Sequence, residues 1–173
     1  NSVMNLTAIT GEKDVAELHF LDCAAVLNAA DFSKKRVIDV GTGAGFPGMV
    51  LKILRPDMEL TLLDSMDKRV NFLTETCGML GFGDTACVHA RAEEAPAGFR
   101  ESFDIAVSRA VARLNVLCEL CLPLVRQGGC FIAMKGPDCA DELAEAQSAV
   151  KLLGGRYDRT YEYLIPGTDV RHT

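Results

Sequence analysis

No stretch of the sequence is apolar for the roughly 20 residues a membrane-spanning helix needs, and no basic leader with an apolar core and cleavage site opens it. A soluble, cytoplasmic protein is the expectation. Positive charge is also short: Lys and Arg total 18 against 24 Asp and Glu, a net charge of −6. Non-specific affinity for nucleic acid comes mainly from cations neutralising phosphates, so an indiscriminate grip is excluded. A nucleic-acid substrate would have to be met by a local patch, for which Lys34-Lys35-Arg36, Lys68-Arg69, Arg109, Arg113, Lys135 and Arg171-His172 are the candidates. The seven cysteines are odd in number and lie within apolar periodic segments, the usage of reduced cytosolic thiols. Cys118 and Cys121 have half-zinc spacing but lack a second pair, so they read as small buried hydrophobes and no metal is expected.

What is present is ordinary globular material. The 173 residues are 49% hydrophobic and 24% charged, enough for one packed core. One domain is expected, with a helical segment over 1–33 and an α/β core over 34–173. Asp14 followed by Glu17 resembles a capping box, and Val15, Leu18, Leu21, Asp22 and Val26 repeat at helical spacing, which predicts a helix over 14–29. From Lys34 onward, apolar strands alternate with helical periods, the pattern of a parallel sheet covered on both faces. Strands are predicted near 36–40, 59–63, 85–89, 103–108 and 129–134, and a sixth over 161–165. Between them, one helix runs from about Pro47 to Pro56 and another opens at Asp67 and ends before Gly81. A further helix is capped by Asp138 and carries Leu143, Ala146, Val150 and Leu153 inward, stopping at Gly154-Gly155.

The chemistry concentrates in one loop. Residues 36–48 give a strand, a glycine-rich turn and a helix start in succession, with Asp39 before Gly41, Gly43, Gly45 and Gly48. Such a loop turns sharply, leaves no Cβ between backbone and ligand, and presents free N–H groups to an anionic group. Asp64 ends the second strand 19 residues past Gly45, where a doubly wound sheet sets its carboxylate beside the loop to receive ribose hydroxyls. Gly43, Gly45 and Gly48 also satisfy the dinucleotide fingerprint, so an NAD-dependent oxidoreductase remains the rival. Asp39 two residues before Gly41 favours S-adenosylmethionine instead, because the cofactor's ammonium needs a nearby acceptor. The loop lacks a Gly-Lys-Ser/Thr ending, which excludes a phosphate-binding loop of the nucleotidase kind.

Residues 5–9, His19-Phe20-Leu21-Asp22, 37–48, Leu62-Leu63-Asp64-Ser65 with Lys68-Arg69, Ala92-Glu93-Glu94, Val107-Ser108-Arg109-Ala110 and Ala133-Met134-Lys135-Gly136 stand in a characteristic order along the chain. Together they resemble the bacterial small-subunit (16S) ribosomal RNA guanine-N7 methyltransferases, the glucose-inhibited division protein B family. The resemblance implies a Rossmann-like class I methyltransferase fold whose seventh strand is antiparallel and inserted beside the fifth. The sequence stops at Arg171-His172-Thr173, where that strand should begin, and Asn1 falls within what should be a longer helical N-terminus, so truncation at both ends is expected. Carried over by position, the family implies cofactor contacts from Gly41, Phe46, Ala92, Glu93 and Arg109, to which the class I fold adds Gly43, Gly45 and Asp64. Arg109 and Lys135 are the candidate catalytic residues, at the carboxyl ends of neighbouring strands. The implied partner is 16S ribosomal RNA or the small ribosomal subunit, met by a monomer.

Methyl transfer from sulfonium to nitrogen is an in-line displacement, and guanine N7 already offers an in-plane lone pair. Alignment and exclusion of water are therefore the main demands, which fits a sequence without an obvious His or Asp catalytic pair near the loop. No Asn-Pro-Pro-Tyr or Asp-Pro-Pro-Tyr clamp for an exocyclic amine is present, and Pro137-Asp138-Cys139 is not the Pro-Cys pair of cytosine-C5 enzymes. The narrow A-form major groove hides N7, so an irregular or single-stranded acceptor is expected.

Overall fold

Val37, Ile38, Val40, Leu60, Leu62 and Leu63 are buried on both faces of two adjacent strands, the burial expected of central strands in a parallel sheet. The computed structural model describes residues 11, 16–137, 139–165 and 167–173. Its main sheet runs β3-β2-β1-β4-β5, all parallel, where β1 is Arg36–Val40, β2 Glu59–Asp64, β3 Ala86–His89, β4 Phe103–Arg109 and β5 Val125–Met134. The expected strands all form, but β5 starts earlier than 129. Its register against β4 slips between Phe103 and Ile105, so the extra residues around Gly128 are taken up in a bulge.

Alternation along the strands splits the core in two. Val37, Leu60, Leu62, Ile105 and Val107 face a layer of Cys23, Val26, Leu51 and Leu73. Ile38, Val40, Leu63 and Ala106 face Cys121 and Leu124 on the other side. The first layer comes from the N-terminal helical segment, α2 (Gly48–Leu54) and α3 (Asp67–Leu80). Gly81 ends α3 in the left-handed conformation at φ 74°, and Phe82 donates its N–H to Cys77 O at 2.9 Å to close that end. The second layer includes α4 (Leu114–Cys121), which α5 (Ala140–Leu152) packs against in turn.

Several local expectations shift. The predicted helix over 14–29 is a helical run of changing pitch: a π turn Ala16–Leu21, an α turn α1 (Asp22–Ala25) and a 3-10 turn Val26–Asn28. Leu21 is exposed there, while Asp22, Cys23 and Val26 are buried. The Asp14 cap and the Asp138 cap lie outside the described residues. On α5 only Ala146 is buried, and Leu153 is exposed rather than inward, because α5 rests on α4 and not on the sheet. The sixth strand shortens to β6 (Tyr163–Leu164), paired antiparallel with β7 (Arg171–His172). Lys135 and Thr173 exchange backbone hydrogen bonds of 2.7 and 2.9 Å, which sets this hairpin beside the end of β5. That is the place the class I fold reserves for its antiparallel last strand.

Candidate functional site

The strand order reverses between β1 and β4, the switch point where open α/β sheets bind ligands beyond their carboxyl ends. A cleft of about 630 Å³ opens there, lined by the loop after β1, the end of β4, the N-terminal helical segment and the C-terminal hairpin. Its size falls within the ~300–1,000 Å³ typical of small-ligand sites.

The loop is held from beneath. Gly41 donates to Leu63 O at 2.8 Å, tying its start to β2. Asp39 is fully buried, and its Oδ2 accepts the Thr42 hydroxyl at 2.7 Å and the Gly48 N–H at 2.8 Å. Its Oδ1 has no hydrogen-bond partner among the described residues. Burial pushes this carboxyl up to about 6, with the Thr42 and Gly48 hydrogen bonds pulling the other way. Asp39 thus closes the loop onto the start of α2. Asp64, also buried, closes the far side: Oδ2 accepts the Gly43 N–H at 2.9 Å and lies 3.5 Å from Arg69 Nη1, and Oδ1 accepts the Met66 N–H at 2.9 Å.

Two glycines show why the loop needs them. Gly45 has φ 97°, and a Cβ there would run into Met49 in the core. Gly43 has φ 60°, and a Cβ added to it would meet nothing within 4 Å, so its backbone faces open cleft. Gly41, Gly43, Phe46, Arg109 and Lys135 all line the cleft. Asp39, Gly45 and Asp64 shape the loop from below. Ala92 and Glu93 sit in a 3-10 turn after β3, Ala92 packed on the core and Glu93 exposed, apart from the cleft lining.

Arg109 is bound tightly in place. Its Nη1 donates to Asp22 Oδ2 at 3.0 Å and its Nη2 meets His19 Nδ1 at 3.1 Å, while the guanidinium carbon lies 5.2 Å from the Phe46 ring centre. His19 stacks on the same ring at 5.1 Å with an interplanar angle of 21°. Burial, and then the Arg109 charge, lowers the His19 pKa below its usual value. Lys135 is engaged too: Nζ donates to Ala112 O at 3.0 Å and lies 2.7 Å from Glu142 of α5. Arg113 pairs with Glu145 one turn further along the same helix, at 2.7 Å.

Asp22 is the residue sequence reasoning undervalues. Its Oδ1 accepts Tyr163 Oη and His172 Nδ1, both at 2.6 Å, while Oδ2 takes Arg109. The spacing of His19 and Asp22 on one helical face is the available signal. Likewise Glu142 and Glu145, three apart, announce partners for Lys135 and Arg113. Cys118 and Cys121 are buried in α4. No cluster of three or more His, Cys, Asp or Glu side chains among the described residues is placed to hold a metal, and no described helix is long and apolar enough to cross a membrane.

Among solved structures, a SAM dependent methyltransferase from Aquifex aeolicus is similar in fold, with a TM-score of 0.66 at 19% identity, covering 93% of this chain and 90% of that one. The YcgJ protein of Bacillus subtilis gives 0.70 at 17% identity over 84% and 72%. Ribosomal RNA small subunit methyltransferase G of Clostridium perfringens strain 13 is 48% identical over 99% of this chain and 73% of its own length. The protein of the same name from Alkaliphilus oremlandii is 49% identical over the same shares. A family model described as GidB, rRNA small subunit methyltransferase G, matches residues 1–164. With that sequence match joined to a class I methyltransferase sheet and a glycine-loop cleft at its switch point, the chain belongs to the rRNA small subunit methyltransferase G family, and the dinucleotide-dehydrogenase reading of its glycines is set aside.

Proposed function

We propose that this chain transfers a methyl group from S-adenosylmethionine to N7 of a guanine in small-subunit (16S) ribosomal RNA, acting as a monomer in the cytoplasm. The observation that carries the reading is the meeting, across one cleft, of an open glycine backbone at Gly43 and a fixed guanidinium at Arg109. The residues present fit the cofactor. Gly43 leaves the room a Cβ would take, and Asp64 stands beneath it with a carboxylate for ribose hydroxyls. Gly41 and Phe46 line the cleft on either side of Gly43, and Ala92 and Glu93, in the 3-10 turn that follows β3 outside the cleft lining, are the residues toward which an adenine would extend.

Bound S-adenosylmethionine supplies an electrophilic methyl group on a sulfonium. The residues around it have to position and to keep out water. Arg109 cannot act as a base, but its planar donors suit the O6 of a guanine, whose N7 edge carries only acceptors. Phe46, His19 and Phe20 form an aromatic wall beside it, with Phe20 edge-on to Phe46 at 5.5 Å. Lys135, held by Glu142, also lines the cleft, one residue beyond Met134, the β5 register partner of Arg109. No group has to remove a proton before N7 attacks.

Calorimetry separates this reading from its rival. Saturable binding of adenosylhomocysteine without a response to NAD is expected, and NAD binding without adenosylhomocysteine binding would overturn it.

A further inference from the structure

Asp22 lies outside the glycine loop, and nothing in the cofactor reading requires it. We infer that it is the positioning residue for the methyl-acceptor side of the cleft, holding Arg109 from one carboxylate oxygen and the C-terminal hairpin from the other. The inference rests on the methyltransferase reading above.

The carboxylate is only 1% exposed. A charge buried that deeply is tolerated when its lone pairs are met by donors, and here they are met by three side chains from three distant segments. Arg109 comes from the end of β4, Tyr163 from β6 and His172 from β7. A carboxylate kept only to pin the helix to the core would need no cleft groups. Instead Arg109, His172 and Asp22 itself all line the cleft.

Donor and acceptor chemistry then fixes the whole cluster. A guanidinium only donates, so His19 Nδ1 accepts from Arg109 Nη2. A carboxylate only accepts, so the nitrogen of His172 that carries hydrogen toward it is Nδ1, and the Nε2 side of that ring is turned away from Asp22. Arg109 is clamped at Nη1 by Asp22, at Nη2 by His19, and against the face of Phe46. That removes the rotameric freedom a long side chain would otherwise lose on meeting the base, which is how a site holds a reacting group within a fraction of an ångström. The three donors also occupy the negative charge. A guanine edge bearing O6 and N7, both acceptors, would be repelled by a free carboxylate beside Arg109.

The test compares wild type, Asp22→Asn and Tyr163→Phe, the last removing one donor while keeping its ring. Each is measured for adenosylhomocysteine affinity by calorimetry, for fold by circular dichroism, and for single-turnover methyl transfer to small-subunit ribosomal RNA at saturating cofactor and RNA. Asp22→Asn is also made in an Arg109→Lys background. Asp22→Asn should keep its fold and cofactor affinity while transfer falls by about 10- to 100-fold, the scale of a misplaced reacting pair. In the Arg109→Lys background its further effect should shrink to about threefold or less, because contacting residues are not additive. Tyr163→Phe should slow transfer by about threefold with affinity unchanged. Transfer by Asp22→Asn at the wild-type rate overturns the inference, as does an equal loss in both backgrounds, or a loss of cofactor affinity that matches the loss of rate. Should Asp22→Asn fail to fold, an unchanged rate in Tyr163→Phe overturns it. Wild-type protein that methylates no ribosomal RNA removes the functional reading, and the inference with it.

Discussion

The backbone N–H of Gly43 donates to the Asp64 carboxylate at 2.9 Å, fastening the end of β2 to the most open residue of the loop between β1 and α2. One buried carboxylate therefore shapes the loop, and under the proposed function it is the group that would receive the ribose hydroxyls. The loop and the acidic strand end work as a single piece.

Asp64→Ala should weaken cofactor binding by about 2 kcal/mol, the scale for charge-assisted hydrogen bonds lost from one ligand. The strand remains paired on both sides through backbone bonds, so the fold should survive. Calorimetry with adenosylhomocysteine, alongside circular dichroism, checks both halves, and an unchanged affinity removes Asp64 from the cofactor site.

Gly43 and Gly45 should respond differently to alanine. Gly45→Ala drives a methyl into Met49 at φ 97° and should cost about 1–3 kcal/mol of stability, as overpacking does. Gly43→Ala meets open space, so its cost should be that of a left-handed alanine, about 1–2 kcal/mol at most. Its methyl would stand in the cleft, and cofactor affinity should fall more than stability does. Urea unfolding and calorimetry on both variants decide the matter; equal affinity for wild type and Gly43→Ala would place the cofactor elsewhere.

Most of the fold is legible in the sequence because β1, β2 and β4 are buried on both faces, and such strands write themselves as apolar runs. The glycine loop and Asp64 are legible for a related reason, since the parallel pairing of the apolar runs β1 and β2 sets the end of one beside the end of the other. The Asp22 cluster is not. Its partners Arg109, Tyr163 and His172 are 87, 141 and 150 residues away in the chain, and only tertiary packing joins them. Spacing makes Asp39 an acceptor for the cofactor's ammonium; in the structure its Oδ2 is taken by Thr42 and Gly48, while its Oδ1 has no partner among the described residues. A side chain in a tight loop is as free to bond its own backbone as a ligand, and sequence spacing does not distinguish the two.

Asp39 gives a pH prediction. Burial raises its carboxyl to about 6 in the folded protein, whereas in the unfolded chain it titrates near its ordinary value of 3.8. Raised on folding, it contributes stability that is fully present below about pH 4 and lost as pH rises through about 6, by up to roughly 3 kcal/mol. Asp39→Asn keeps an acceptor for Thr42 and Gly48 and removes the titration. Its stability should fall less steeply than that of wild type between about pH 4 and about pH 7 in urea unfolding, the comparison cancelling every other carboxylate. Parallel curves would show that Asp39 does not titrate there.

Arg109 and Lys135 should part company. Arg109→Lys keeps the charge and loses the planar fork, so transfer should fall by about tenfold or more. Lys135→Gln can still donate to Ala112 O, and because Lys135 is already paired with Glu142 its loss should change transfer by about threefold at most. Single-turnover rates on the same RNA measure both. A larger loss in Lys135→Gln than in Arg109→Lys would transfer the positioning role to Lys135.

The most direct measurement supplies the protein with methyl-labelled S-adenosylmethionine and small-subunit ribosomal RNA, free and as the assembled particle, and identifies the product nucleoside by mass spectrometry. The expected product is 7-methylguanosine from ribosomal RNA, in a yield that falls as salt rises because phosphate contacts contribute to binding. Label appearing in transfer RNA or protein, with none in ribosomal RNA, would contradict it.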